Sequence, residues 1–352
     1  MDRASIAAVR RPFERAIAEQ TLPGAVIGAA TGTRVLFREA LGFRQVRPDS
    51  LPMTVDTRFD LASLTKVVAT TSIFFRLLER GEVRLDDLVS SFLGGGFGTL
   101  RLRHLLTHTS GFPAWLDLGA VGPNRDQRLA AIRGARRLSA PGERVLYSDL
   151  NFIALGYILE GIAGQGLDQV FVREVQDPLQ LSAMRFLPPP DDGEFAATEA
   201  DPATGRPWLG VVHDENARSA GGVSGHAGLF GTLDDLLRFG QALLNGGVGP
   251  RGRWLSAATV DRLLRAETAG VPGELRALGY QKPFPLSSAG DLMSPRAIGH
   301  TGFTGTSLWI DFEYGVSMVA LTNRVHFGRE INAPLRLRPI FHNVVLAHLD
   351  DL

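Results

Sequence analysis

Apolar and polar positions follow two different periods along this chain, and its first forty residues contain both. Residues 3–19 place apolar side chains at helical spacing among charged ones, at Ile6, Val9, Phe13 and Ile17. Two strand-like runs follow, 24–30 (GAVIGAA) and 35–40 (VLFREA), on either side of a turn at 31–33. This pattern predicts a helix followed by an antiparallel hairpin.

Helical patterns dominate the middle of the chain, where Gly- and Pro-rich loops separate them. An apolar segment runs from Ser63 to Arg80 and stops at Gly81, as helices often do at a glycine. The same spacing predicts four further helices, over residues 151–162, 167–175, 233–245 and 257–265.

Strand patterns return near the C-terminus, where 305–312 and 315–323 flank the turn Glu313-Tyr314 and predict a second hairpin. A closing helix is predicted over 334–350. Because the late hairpin must pair its edges, the simplest packing joins both hairpins in one sheet.

The order of these elements indicates an α+β fold. We expect an antiparallel sheet flanked by the two terminal helices, with an inserted, mainly helical lobe. Residues 1–62 and 255–352 would form the sheet domain, and residues 63–254 the helical domain. The nucleophile candidate Ser63 lies at the boundary between them.

Composition narrows the classes of function. The 352 residues include 37 basic and 37 acidic side chains, so nothing indicates a bulk electrostatic partner such as nucleic acid. The absence of cysteine excludes thiol catalysis, disulfides and thiolate metal sites. No stretch of about 20 apolar residues is present, so we expect no membrane span.

The N-terminal segment bears on location. Arg10, Arg11, Glu14 and Arg15 interrupt any run that could serve as a secretory signal. If Met1 is the native start, a cytoplasmic location is expected. The oligomeric state stays open.

The strongest chemical candidate is the pair Ser63 and Lys66 in Asp-Leu-Ala-Ser-Leu-Thr-Lys-Val. Positions i and i+3 share a helix face, so the two side chains can touch. Burial and the helix N-terminus would lower the pKa of Lys66, and a neutral lysine can take the proton of Ser63. A carboxylate at Asp149 would oppose this effect. Alone, the spacing is equally typical of a capping serine beside a surface lysine.

Two further triplets strengthen the catalytic interpretation: Tyr147-Ser148-Asp149 before a predicted helix, and His300-Thr301-Gly302 before the last hairpin. In this order, the three elements resemble those of serine β-lactamases, penicillin-binding proteins, D-alanyl-D-alanine carboxypeptidases and related esterases. The likeness is greatest to class C-like members, whose second element is Tyr-x-Asn. It spans roughly residues 24–325.

The resemblance implies a role for each matching position. Ser63 would be acylated, with Lys66 as its base or the partner of its base, and Tyr147 would exchange protons with the nucleophile and the leaving group. The backbone N–H groups of Ser63 and Phe303 would form the oxyanion hole. The third element would meet a substrate carboxylate or carbonyl through its residues His300, Thr301 and Gly302.

Two departures from the family pattern concern the substrate. Asp149 replaces an asparagine, and an ionised carboxylate only accepts hydrogen bonds, so recognition of an acylamido side chain is weakened. His300 replaces a lysine, and histidine titrates near neutral pH, so carboxylate binding there is expected to depend on pH. Both departures argue against a dedicated β-lactamase.

Other polar residues are expected near the cleft. His213-Asp214-Glu215-Asn216 and the glycine-rich 221–226 suggest a loop close to a ligand, and we expect His213 and His226 to line the cleft rather than bind a metal. Arg324 follows the last predicted strand, where it is either a carboxylate contact or a surface arginine.

The predicted function is acyl transfer from an ester or peptide-like amide, a small-molecule substrate, through an acyl-enzyme on Ser63. No cofactor is expected. A β-lactamase, or a binding module that keeps the fold without catalysis, are the alternatives.

Overall fold

The computed structural model describes residues 1–349. Its strands are β1 (Gly24–Thr31), β2 (Val35–Gln45), β3 (Leu51–Pro52), β4 (Phe59–Asp60), β5 (Arg185–Phe186), β6 (Leu229–Gly231), β7 (Val248–Gly249), β8 (Gly252–Arg253), β9 (Ile298–Thr301), β10 (Ser307–Asp311) and β11 (Val316–Thr322). Its α-helices are α1 (Arg3–Ala18), α2 (Ser72–Glu79), α3 (Ser90–Leu93), α4 (Leu102–Leu106), α5 (Arg125–Gly134), α6 (Asp149–Ala163), α7 (Leu167–Phe171), α8 (Asp177–Leu179), α9 (Glu215–Ser219), α10 (Leu233–Leu244), α11 (Ala257–Leu263) and α12 (Ala333–Ala347).

One sheet contains both predicted hairpins. Its strand order is β3-β2-β1-β11-β10-β9, and neighbours run antiparallel. The N-terminal and C-terminal strands meet where β1 pairs with β11, from Ala25 opposite Thr322 to Thr31 opposite Val316. The prediction of a single sheet that joins both ends of the chain is confirmed.

The two faces of this sheet belong to different cores, because successive side chains of a strand point in opposite directions. Ala25, Ile27 and Ala29 pack with α1 and α12 in one apolar cluster. Val26 and Ala30 face the other way and join the large cluster of the central helices. The nearly continuous apolar sequence of β1 is therefore explained by burial on both faces.

Helix α10 lies on the sheet rather than among the other central helices. Gly28 of β1 lies against Leu233, and Gly240 lies against Ser317 of β11. The sequence-based boundary at residue 254 placed this helix in the helical domain. The division of the chain into two domains stays a prediction.

Most predicted elements are present, with ends shifted by a few residues. The segment from Ser63 to Arg80 contains a π-helical turn, Lys66–Thr71, which continues into α2. Strand β9 was not predicted, although it carries His300 and Thr301. The closing helix ends at Ala347, and residue 350 of its predicted range lies outside the described residues.

No single helix within residues 1–349 combines the length and the apolar composition of a membrane span. Only α6 taken together with the helical segment Leu167–Leu179 meets these criteria, and a bend of 78° separates the two.

The contact of α10 with the sheet gives a test of the packing. A Cβ at Gly240 would lie 2.6 Å from the Cβ of Ser317, closer than two carbons can approach. We expect Gly240→Ala to lower the free energy of unfolding by about 1–3 kcal/mol through overpacking. Gly134 of α5 has open space around its Cβ position, so Gly134→Ala should leave stability unchanged or slightly raised. The free energies of unfolding of both variants, measured in urea, test this prediction, and equal values would contradict the packing described.

Candidate active site

Ser63 lies at the end of a strained turn that leads from β4 into the first central helix. Ala62 before it has a positive φ of 47°, which is unfavourable for a residue with a Cβ. The carboxylate of Asp60 accepts the N–H of Ala62 at 2.9 Å and the N–H of His213 at 2.7 Å. Asp60 is buried, and burial raises the pKa of its carboxyl group despite these two hydrogen bonds. This carboxyl group therefore joins the turn before Ser63 (the serine turn) to the loop that contains His213.

Lys66 lies one turn beyond Ser63, and its Nζ is 2.8 Å from Ser63 Oγ. The side chain has no exposure to water, and its Nζ also lies 2.8 Å from Asp149 Oδ1 and 3.1 Å from the carbonyl oxygen of His226. Burial acts to lower the pKa of Lys66, but Asp149 and Tyr147 raise it by more, so it lies above its ordinary value. The expectation of a neutral lysine is wrong, because Asp149 and Tyr147 together outweigh the effect of burial on the pKa of Lys66.

Tyr147 approaches Ser63 from the loop before α6, and its hydroxyl donates to Ser63 Oγ at 3.0 Å. His108 shapes this loop, because its Nδ1 accepts the N–H of Ser148 and its carbonyl accepts the N–H of Leu146. The His108 ring also lies against the Tyr147 ring, with centroids 4.5 Å apart. Burial keeps the pKa of His108 well below its ordinary value, so this support is a neutral imidazole.

A cleft of about 760 Å³ opens above these groups, and it includes Ser63, Tyr147, Asp149, Thr301 and Phe303 in its lining. The turn that follows β9 packs closely on the serine turn. A Cβ at Gly302 would lie only 2.6 Å from the carbonyl oxygen of Leu61, so only glycine fits there. Among residues 1–349, neither the N–H of Ser63 nor that of Phe303 has a protein acceptor.

The ring of Phe303 is held between two polar side chains. His213 stacks on it at a centroid distance of 5.6 Å, and the Arg324 guanidinium lies 4.7 Å from its centroid. Arg324 donates to the carbonyl oxygens of Phe303, Arg329 and Ile331, so most of its hydrogen-bonding capacity is engaged within the protein. Both residues therefore support the loop of Phe303, and both line the cleft. Arg324 is buried rather than a surface arginine, and its contact with a substrate carboxylate stays a prediction.

His300 is buried on β9, beside Tyr147. Its Nδ1 donates to the carbonyl oxygen of Thr301 at 2.8 Å, and burial together with Arg276 holds its pKa well below the ordinary value. The expectation that His300 titrates near neutral pH is wrong, because burial and the nearby cations Arg276 and Lys66 disfavour the imidazolium.

Asp149, Asp214 and His226 form a compact group, with one potential ligand atom from each within 4.8 Å of the others. His226 is buried rather than cleft-lining, and its Nε2 lies 2.8 Å from Asp214 Oδ1. The pairing with His226 lowers the pKa of Asp214 well below its ordinary value, although burial acts to raise it. The ammonium of Lys66 already supplies the positive charge beside these carboxylates, so we assign no metal here.

Arg276 is the residue that the sequence interpretation missed. It lines the cleft, is 3% exposed, and its guanidinium lies 5.2 Å from the Tyr147 ring centroid. One of its nitrogens pairs with Glu274, while Nε and Nη1 have no partner among residues 1–349. No motif marks the segment around it. Asp60 was missed as well, although it lies three residues before Ser63, because its contact with His213 is long-range.

Comparison with known proteins supports the resemblance seen in the sequence. The sequence pattern of the Beta-lactamase family matches residues 9–338. A protein of Escherichia coli O157:H7 named "Putative D-alanyl-D-alanine carboxypeptidase" is 32% identical over 349 residues, covering 86% of this chain and 79% of that protein.

Two solved structures share the fold. EstCE1, "a hydrolase with promiscuous acyltransferase activity", has a TM-score of 0.73 at 25% identity and covers 96% of this chain and 98% of its own. A simvastatin synthase mutant from Aspergillus terreus has a TM-score of 0.77 at 21% identity and covers 100% and 99%. The predicted fold class is confirmed.

Fold and homology together define a hydrolase of the β-lactamase and penicillin-binding-protein superfamily. The chain belongs to the Beta-lactamase family.

The contacts of Asp60 lead to a prediction about the serine turn. Each of its carboxylate oxygens accepts one backbone N–H, whereas asparagine has a single acceptor oxygen. We expect Asp60→Asn to lower the free energy of unfolding by about 1–3 kcal/mol, because one buried N–H then faces an NH₂ group. The control is Asp56→Asn, at an exposed carboxylate on the preceding loop, which should change stability by less than about 0.5 kcal/mol. Matching urea midpoints for the two variants would mean that Asp60 does not organise this turn.

Proposed function

We propose that this chain is a serine hydrolase that acts through an acyl-enzyme on Ser63. The observation that carries the proposal is the convergence of Lys66 Nζ, at 2.8 Å, and the Tyr147 hydroxyl, at 3.0 Å, on Ser63 Oγ beside an open cleft. A serine with two proton-handling partners is the arrangement that nucleophilic acyl transfer requires.

The oxyanion hole in this proposal consists of the N–H groups of Ser63 and Phe303. Both residues line the cleft, and neither N–H has an acceptor among residues 1–349. As Ser63 Oγ bonds to the substrate carbonyl carbon, the carbonyl electrons move onto oxygen and these dipoles stabilise the charge. Tyr147 lies where it can return a proton to the leaving group, and water then releases the acyl group.

Substrates with a carboxylate close to the scissile bond fit the guanidinium of Arg276, which pairs with Glu274 through one nitrogen and leaves Nε and Nη1 without a partner among residues 1–349. This residue faces the same cleft as Ser63, and its Nε and Nη1 can form a charge-assisted pair with an anion. The neutral state of His300 leaves this role to arginine. Relatives named as D-alanyl-D-alanine carboxypeptidases support a peptide that ends in a carboxylate as the substrate class.

A second candidate, an esterase for apolar acyl groups, is supported by exposed apolar side chains around the cleft. Trp115, Phe303 and Leu335 are 46%, 47% and 66% exposed and line it together. Asp149 offers no amide donor to the acylamido group of a β-lactam, so we place β-lactamase activity behind both candidates.

The nucleophile is tested by intact mass after incubation with a fluorophosphonate. We expect one adduct on the wild-type protein and none on Ser63→Ala, which should also lose hydrolysis of p-nitrophenyl esters while unfolding at the wild-type temperature. Ser50→Ala, at an exposed serine outside the cleft, is the control and should label normally. No adduct on the wild type would favour a non-catalytic binding module, and an adduct on Ser63→Ala would move the nucleophile elsewhere.

The role of Arg276 is tested by comparing two substrates. Arg276→Gln should raise KM for an N-acyl-D-alanyl-D-alanine peptide by about 10- to 100-fold, the loss of a charge-assisted hydrogen bond, and should change KM for a neutral ester by less than about threefold. Arg265→Gln, at an exposed arginine, should affect neither substrate. Equal losses on both substrates would instead mean that Arg276 acts through the Tyr147 ring.

A further inference from the structure

The loop residues Asp214 and His226 were noted in the sequence for their setting, and the structure places them directly behind the Ser63–Lys66 pair. His226 Nε2 lies 2.8 Å from Asp214 Oδ1, which also accepts the N–H of Ala217. The carbonyl of His226 accepts from Lys66 Nζ at 3.1 Å. The pair therefore anchors a carbonyl against the lysine.

Lys66 has three close oxygen neighbours, and its side chain is fully buried. Its Nζ donates to Ser63 Oγ at 2.8 Å and to the His226 carbonyl at 3.1 Å, and it forms an ion pair with Asp149 Oδ1 at 2.8 Å. An ammonium group has three N–H donors, and each of these oxygens lies within reach of one of them. Removing its proton would leave Asp149 as a poorly compensated charge in a largely dehydrated site.

The other titratable and charged side chains around Lys66 come from four different segments. Tyr147 precedes α6, His108 follows α4, His300 lies on β9 and Arg276 lies on the loop before β9. Burial keeps both histidines neutral at ordinary pH. The negative charges close to Lys66 are therefore those of Asp149 and Asp214, and the cation of Arg276 lies on the far side of Tyr147.

A lysine that stays an ammonium cannot by itself accept the proton of Ser63. We propose that Asp149 is the terminal proton acceptor of the acylation step, with Lys66 as the shuttle between Ser63 and Asp149. This inference rests on the proposed function. As Ser63 Oγ bonds to the carbonyl carbon, its proton moves to Lys66 Nζ while Lys66 passes one of its own protons to Asp149 Oδ1. The carbonyl oxygen becomes the oxyanion, and Lys66 is an ammonium before and after.

This assignment also gives a reason for the aspartate at this position. The family pattern has asparagine there, and an amide oxygen cannot store a proton at ordinary pH. The carboxylate of Asp149 lies within one proton hop of Lys66 and has its second oxygen available toward the cleft. The residue that weakens amide recognition thus supplies a base.

The test is the pH dependence of fluorophosphonate labelling, measured as the rate of adduct formation by intact mass. If Asp149 accepts the proton, Lys66 of Asp149→Asn must first lose its own proton to solvent before it can take the proton of Ser63. The acidic limb of the labelling rate should therefore lie at higher pH in Asp149→Asn than in the wild type. Asp261→Asn, at an exposed carboxylate on α11, should reproduce the wild-type profile.

Two outcomes would overturn the relay. An acidic limb that moves to lower pH in Asp149→Asn would make Lys66 the base itself. An acidic limb that Asp149→Asn leaves in place would assign the acceptor to another group. Thermal unfolding at each pH separates these results from loss of fold, and the wild-type profile stands even if the variant does not fold. Failure of the wild type to label at any pH would instead refute the proposed function.

Discussion

A lysine ammonium that is shielded from water must find an acceptor for every N–H within the protein, and this constraint organises the whole site. Lys66 meets it with oxygens from three stretches of chain: the serine turn, the start of α6 and the loop before β6. Each contact also positions a neighbouring segment. Asp149 is joined to the loop that carries Tyr147, and His226 pairs with Asp214, whose carboxylate caps α9. A buried charge here therefore determines which loops must meet.

A second buried group, the carboxyl of Asp60, organises the part of the site that contains the serine turn and the Phe303 loop. It joins the backbone of Ala62 to that of His213, and its own carbonyl accepts from Thr304 in the turn after β9. The nucleophile turn, the Phe303 loop and the loop of His213 are thus positioned by short backbone contacts. Such contacts would hold the proposed oxyanion site rigid without placing a charge there, which is the arrangement that electrostatic preorganisation requires.

Burial lowers the pKa of His108, His300 and Lys66 alike. The charge state that results depends on the neighbours of each group. His108 and His300 lose their charge because no anion compensates them. Lys66 keeps its charge because a carboxylate lies at 2.8 Å. Arg276 remains a cation whose Nε and Nη1 lack partners among residues 1–349, beside the ring of Tyr147. Beside the neutral His300, the cleft consequently offers two guanidinium nitrogens that lack partners among residues 1–349, which suits the proposed substrate with its own carboxylate.

The sequence by itself determined whatever depends on local spacing. Ser63 and Lys66 had to share a helix face, two hairpins had to pair their edges, and three ordered triplets indicated the family. The ionisation of Lys66 and His300, the burial of His226 and the roles of Asp60 and Arg276 came only from the tertiary structure. Lys66 meets the carbonyl of His226 across 160 residues, and Asp60 meets His213 across 153. Local periodicity carries no information about such contacts, and the charge of a buried group depends on them.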